Sequence, residues 1–214
     1  MHNISLIPVE LTTSPPALQS APGYESRPAD CSLPILRLEH ADGRTTWIRE
    51  SLSILEYFED LFPSSHGFKD LKGQTLEQRA QTRDILSLLN DSMHWSLIVL
   101  VHSHPYSTSW SGLSADQMSS TTAAHAERKL HFYLNRLEQW LEGDGGEDMM
   151  DLTLASLVIV AQVEYHKMMY DADWLKGHDV LRRWVEGMKA QKWFVESGEL
   201  KGVERSGRWE SLLG

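Results

Sequence analysis

Rings gather in one stretch of this chain: His94, Trp95, His102, His104, Tyr106 and Trp110. Indole and phenol rings stack on flat molecules, and imidazoles donate protons near neutral pH. The stretch is therefore a candidate pocket for an aromatic or polyketide-like compound, with His94, Trp95 and His102 as its core. Core packing and capping are the competing reading of most of these rings. The His102-Ser103-His104 spacing raises metal binding. However, two histidines one residue apart on a helix point away from each other, and no Cys, Asp or further His joins them at ligand spacing. No metal is expected. The single cysteine, Cys31, can form no internal disulfide. Its thiol has the chemistry for a mixed disulfide, but a buried cysteine is ordinarily a small hydrophobe.

The elements that must position these residues can be read from period and punctuation. Ile4 to Leu11 is rich in strand-forming side chains and runs into Thr12-Thr13-Ser14-Pro15-Pro16, which should end a strand. Ser14 to Ser32, with four prolines, is expected to be an irregular loop. Leu33 to His40, a turn at Ala41-Asp42-Gly43-Arg44 and Thr45 to Arg49 read as a hairpin. Ser51 is expected to cap a helix running to about Leu61, with Leu52, Leu55, Phe58 and Phe62 at helical spacing before Pro63. After a polar linker, Ser64 to Gln74, every strong pattern is helical. Leu86, Leu89, Met93, Leu97 and Leu100 form one stripe, and Leu130, Leu134, Leu137 and Leu141 a second. Val180, Leu181, Trp184 and Met188 mark a later helix. Asp148 is the expected cap of the helix that follows Gly143 to Asp148, with Asp151 in the favourable field of its start.

Composition sets the outer limits. The chain has 214 residues, 41% of them hydrophobic, which suffices for a substantial core. A net charge of −10 leaves no broad basic surface, so nucleic acid and anionic membrane are disfavoured as partners. The apolar run Leu152 to Val163 is about half the length of a membrane span and reads as a buried core helix. The start MHNISLIPVE has no basic region followed by a long apolar stretch. A reducing, cytoplasmic setting is expected.

The block from Leu33 to Pro63 is the most informative. A strand begins at Leu-Pro, an Asp-Gly hairpin follows, and Arg49-Glu50-Ser51 opens a helix reading SLSILEYFEDLFP. This order resembles the second half of the glutathione-binding domain of cytosolic glutathione S-transferases. The Asp151-Leu152-Thr153-Leu154-Ala155 helix start resembles that family's helical second domain. The resemblance implies an α/β plus all-α protein. Residues 1–64 would form a thioredoxin-like glutathione-binding domain and residues 75–214 an all-helical C-terminal domain.

The same resemblance implies roles for single residues. Pro34 would follow a cis peptide bond, so that Leu33 offers its backbone to the cysteinyl part of glutathione. Ser51 at the helix start would hold the γ-glutamyl carboxylate, and Glu50 would accept from its ammonium group. The ring-rich stretch would border the pocket for a hydrophobic electrophile. Asp91 is placed where helix acids of some members reach a neighbouring subunit's glutathione. A homodimer is implied, with glutathione as co-substrate.

The chain departs from the pattern at its start. In the family, the strand matching Ile4 to Leu11 is the second, preceded by a strand and a helix carrying the catalytic Ser, Tyr or Cys. The thioredoxin-like domain is therefore expected to be N-terminally incomplete here, and no catalytic residue is assigned. The expected function is transfer of glutathione to, or glutathione-assisted chemistry on, a hydrophobic electrophile such as a secondary-metabolite intermediate. The alternatives are a non-catalytic interaction or regulatory module and a helical domain with a vestigial site.

Overall fold

The strand-forming residues near the start of the chain make two strands rather than one. A computed structural model describes residues 7, 9–13, 16–28, 33–143, 151–192 and 194. In it β1 (Val9–Thr13) pairs antiparallel with β2 (Pro16–Ser20), Val9 opposite Ser20 and Thr13 opposite Pro16. The stretch expected to be irregular from Ser14 to Ser32 therefore contains a strand. Proline is tolerated at the first residue of a strand, where no ladder hydrogen bond is lost, and Pro16 occupies that position.

A second antiparallel pair joins β3 (Leu36–Glu39) to β4 (Thr45–Ile48). Its tip closes by bonds from the His40 amide to the Arg44 carbonyl and from the Gly43 amide to the His40 carbonyl, both 2.9 Å. Gly43 sits at φ +81°, a left-handed conformation that a residue without Cβ adopts freely. Arg44 reinforces the turn, and its guanidinium, 2.6 Å from the Asp42 carboxylate, holds that group below the usual carboxylate range. The ladder is shorter than the strands expected from sequence, leaving Leu33, Pro34 and Ile35 outside it.

Helix α1 (Ser51–Leu61) spans the expected residues and closes with the Phe62 amide on the Phe58 carbonyl, 2.9 Å, one residue before Pro63. Leu52 and Leu55 pack against the helical core, while Ile54, outside the expected stripe, is its buried residue.

Four further helices are described: α2 (Leu76–Ser103), α3 (Ser120–Glu142), α4 (Leu154–Tyr170) and α5 (Asp179–Lys189). Thr75 and Gln78 form a reciprocal capping box at the start of α2, and Ser119 caps α3. Leu130, Leu134, Leu137 and Leu141 are all buried, so the α3 stripe is as expected. On α2, Leu86, Leu89 and Leu100 of the expected stripe are buried, but Leu97 is 42% exposed, and Ile85, Ser92 and Ser96 complete the buried face. Ser92 and Ser96 turn their hydroxyls back onto the Leu89 and Met93 carbonyls at 2.8 Å, which satisfies them inside the bundle. By length and composition α2 is long and apolar enough to cross a membrane. Here it lies between α3 and α4 as the central helix of the core.

The α4 cap also differs. Thr153 accepts from the Ser156 amide, and the Ser156 hydroxyl returns to the Thr153 amide. Asp151 precedes the helix with an exposed carboxylate 3.8 Å from the Lys69 ammonium. Asp148, the expected cap, and Cys31 lie outside the described residues.

Candidate functional site

The β3–β4 register fixes where the expected glutathione-binding residues meet. Leu36 faces Ile48, so two residues before the one and two after the other, Pro34 and Glu50 arrive at the same end of the hairpin. Leu33 and Ser51 are the next residues along. The Leu33–Pro34 peptide bond is cis. Leu33 is 38% exposed, and Glu50 and Ser51 are exposed, so the hairpin end and the helix start are open to solvent together.

The helix start is built differently from the expected serine cap. Glu50 is the N-cap, with extended backbone (φ −103°, ψ 134°) and its carbonyl accepting from the Ile54 amide at 2.9 Å; Ser51 is the first helical residue. No side chain caps this helix. Its first amides, reinforced by the positive end of the helix dipole, are available to an anion. A carboxylate held there and an extended backbone alongside Leu33 together suit a short peptide with a free carboxyl group.

The ring-bearing residues do not form one pocket. His94 is exposed, and its Nδ1 lies 2.8 Å from the Asn90 carbonyl. Trp95 and His102, seven residues apart, share a face turned to α3. Trp95 meets the His125 ring edge-on at 5.8 Å, and His102 Nδ1 accepts from the Ser119 amide at 3.3 Å. His104 and Tyr106 turn to the other side, against Tyr170, at ring separations of 5.4 and 6.2 Å. There they join Tyr165, His166 and Trp174 in a cluster that sequence analysis missed, because α4 and the turn after it lie some sixty residues downstream. Burial, followed by its bond to Tyr165, pushes the Tyr170 phenol well above its usual range, so it stays protonated. Asp91 is an exposed acid of α2. Among the described residues, no group of three or more His, Cys, Asp or Glu side chains is placed to hold a metal ion.

A second junction escaped the sequence because it is made by backbone. The Leu71 amide donates to Glu59 of α1 at 2.8 Å, and the Leu71 carbonyl accepts from the Leu154 amide of α4 at 2.8 Å. Burial raises the Glu59 carboxyl above its ordinary range, opposed by the Leu71 amide. Beside this junction a polar cleft opens between the linker and the starts of α2 and α4, lined by Lys69, Gln81, Asp151 and Thr153 among others.

The sequence matches no family model and no curated protein. The structure resembles solved ones. A glutathione S-transferase from Methylobacillus flagellatus KT, with GSH bound, matches at a TM-score of 0.54 and 18% identity, over 72% of this chain and 70% of that one. A glutathione S-transferase from Methylobacterium radiotolerans JCM 2831, in complex with glutathione sulfonate, matches at 0.52 and 18%, over 75% and 68%. A class Gtt2 glutathione S-transferase of Vibrio parahaemolyticus matches at 0.54 and 16%, over 76% and 72%. The likeness at such identities lies in the backbone. Short antiparallel strands and α1, followed by an all-helical bundle, correspond to a thioredoxin-like part and a helical part in that order. The chain thus has the fold of glutathione S-transferases.

Proposed function

We propose that the chain binds glutathione at the hairpin end and acts with it on a hydrophobic electrophile, which secondary metabolism is one source of. One observation carries this reading: the uncapped start of α1 at Glu50 and Ser51 lies beside the exposed, unpaired backbone of Leu33 and Pro34. In this reading Leu33 pairs with the cysteinyl backbone, the α1 amides and Ser51 hold the γ-glutamyl carboxylate, and Glu50 accepts from its ammonium. Bound glutathione in structures of the same fold supports it. Residues 1–64 serve as the glutathione-binding part and residues 75–214 as the helical part. A homodimer belongs to this reading, formed mainly by the first helices of the helical part against the partner's glutathione-binding part.

The test is a thermal melt with and without millimolar glutathione. A ligand at a hundredfold its dissociation constant stabilises the native state by about 2.7 kcal/mol. A rise in melting temperature that shrinks in Ser51→Ala and in Glu50→Gln supports the site; no rise in folded protein refutes it.

A second reading, a non-catalytic module of the same fold, is favoured by the dispersal of His94, Trp95 and His102. Trp95 and His102 are committed to α3 rather than to a shared pocket. Glutathione binding without turnover of any electrophile, together with capture of a protein partner, would select it.

A further inference from the structure

Three titratable side chains that play no part in the proposed site form a continuous chain between α3 and α5. Glu138 of α3 places one carboxylate oxygen against the Val180 and Leu181 amides, at 2.9 and 3.3 Å, and so caps α5 from another helix. His178, the residue before α5, supplies no side-chain cap of its own. The other carboxylate oxygen of Glu138 lies 3.0 Å from His178 Nδ1, and His178 Nε2 lies 2.8 Å from His131 Nδ1, with the two rings stacked at 5.1 Å. His178 is 2% exposed and the Glu138 side chain 15%.

Hydrogen counting restricts what this chain can hold. An ionised carboxylate only accepts, so His178 Nδ1 carries hydrogen. The 2.8 Å contact between the two rings then requires one hydrogen, on either ring. With both histidines neutral, His131 donates to His178. One added proton leaves every bond in place: it sits on the outer nitrogen of His131 or, by transfer along the short contact, between the rings. A second added proton puts hydrogens on both facing nitrogens and drives the rings apart.

We propose that Glu138, His178 and His131 are an acid-sensitive latch that holds one proton and is released by a second, freeing the start of α5 from α3. The charged groups around it are accounted for. On α3, Glu127 and Arg128 lie one turn before His131, and both are exposed. In the turn before α5, Lys176 is exposed; Asp173 is committed to Arg182, whose guanidinium also donates to the Leu175 carbonyl. Asp179 at the α5 start is exposed, and the Lys189–Glu164 pair lies at the other end of that helix.

The unfolded chain can protonate both imidazoles, whereas the latched one takes a single proton. In the acid limb the unfolding constant therefore gains a factor of about ten for each unit of pH lost. Denaturant unfolding of the full chain between about pH 5 and pH 8, where imidazoles change charge, measures this slope. His131→Asn cannot titrate, but its amide can donate to neutral His178 through nitrogen and accept from protonated His178 through oxygen. The variant therefore takes one proton folded and one unfolded, and its slope is expected to be shallower than wild type by one proton. An unchanged slope overturns the proposal. Should that variant not fold, nitrogen-resolved NMR of the wild-type imidazoles decides. One proton gained by the pair while the Val180 and Leu181 amides stay protected supports the latch; two gained with those amides still protected refutes it.

Discussion

His166 shows how far one buried side chain can set a response to acid. Its Nδ1 lies 2.7 Å from the Gln162 carbonyl, which can only accept, so that nitrogen carries the hydrogen. Its Nε2 lies 3.1 Å from the Ser96 hydroxyl, and its ring stacks on Trp174 at 5.4 Å. Burial lowers its pKa from 6.5, opposed by the Gln162 bond. Because the folded-state value is the lower one, the unfolded chain takes up this proton first. Stability tied to His166 is intact above about pH 6.5 and is lost as pH falls through the folded value. His166→Phe keeps a ring on Trp174, and Ser96 keeps its bond to the Met93 carbonyl at 2.8 Å. This variant is expected to remove the His166 share of acid destabilisation, read as convergence of its denaturant midpoints at neutral and mildly acidic pH. None of this was legible from the sequence, because Ser96 and His166 are seventy positions apart. Glu50 and Ser51 were legible, since a serine before an apolar helix is a local signal. Only the shift of the cap by one residue, from Ser51 to Glu50, needed backbone angles to see.

The helices separate what period reveals from what it hides. Leu130, Leu134, Leu137 and Leu141 recur at helical spacing, so the buried face of α3 was readable directly. On α2 the same reasoning chose Leu97 over Ser96, because hydroxyls satisfied by their own helix are invisible to a hydrophobicity count. Strand β2 was hidden by proline, which reads as a breaker until its place at the strand's first residue is known. Two substitutions test the caps and turns. Thr153→Ala removes the α4 cap and should cost about 1 kcal/mol in chemical denaturation. Gly73 lies at φ +116°, and a Cβ there would come within 2.7 Å of the Gln78 Cβ, in the residue that completes the α2 capping box. Gly73→Ala is therefore expected to destabilise by about 1–3 kcal/mol, through strain in the backbone and displacement of the box. A melting temperature equal to wild type would show that the turn yields without cost.

For the molecule as a whole, Leu71 is the pivotal position, because its amide and carbonyl tie α1 to α4. With Leu52 and Leu55 set against the helical core, α1 and the bundle should unfold together. Tryptophan fluorescence and far-ultraviolet circular dichroism are expected to give coincident transitions. Leu134→Ala, at a fully buried position facing that core, should cost about 2–5 kcal/mol without separating them. The order of elements, strands then helices, was legible throughout. Contacts that close the bundle were not, since they join residues far apart in the chain. The Glu138 cap carries a consequence for how the molecule assembles. The start of α5 is completed by a carboxylate about forty residues upstream, so this helix of eleven residues cannot finish nucleating until α3 is in place. Such a contact is expected to form after the rate-limiting barrier, and its loss through Glu138→Ala should speed unfolding several-fold while leaving the refolding rate nearly unchanged.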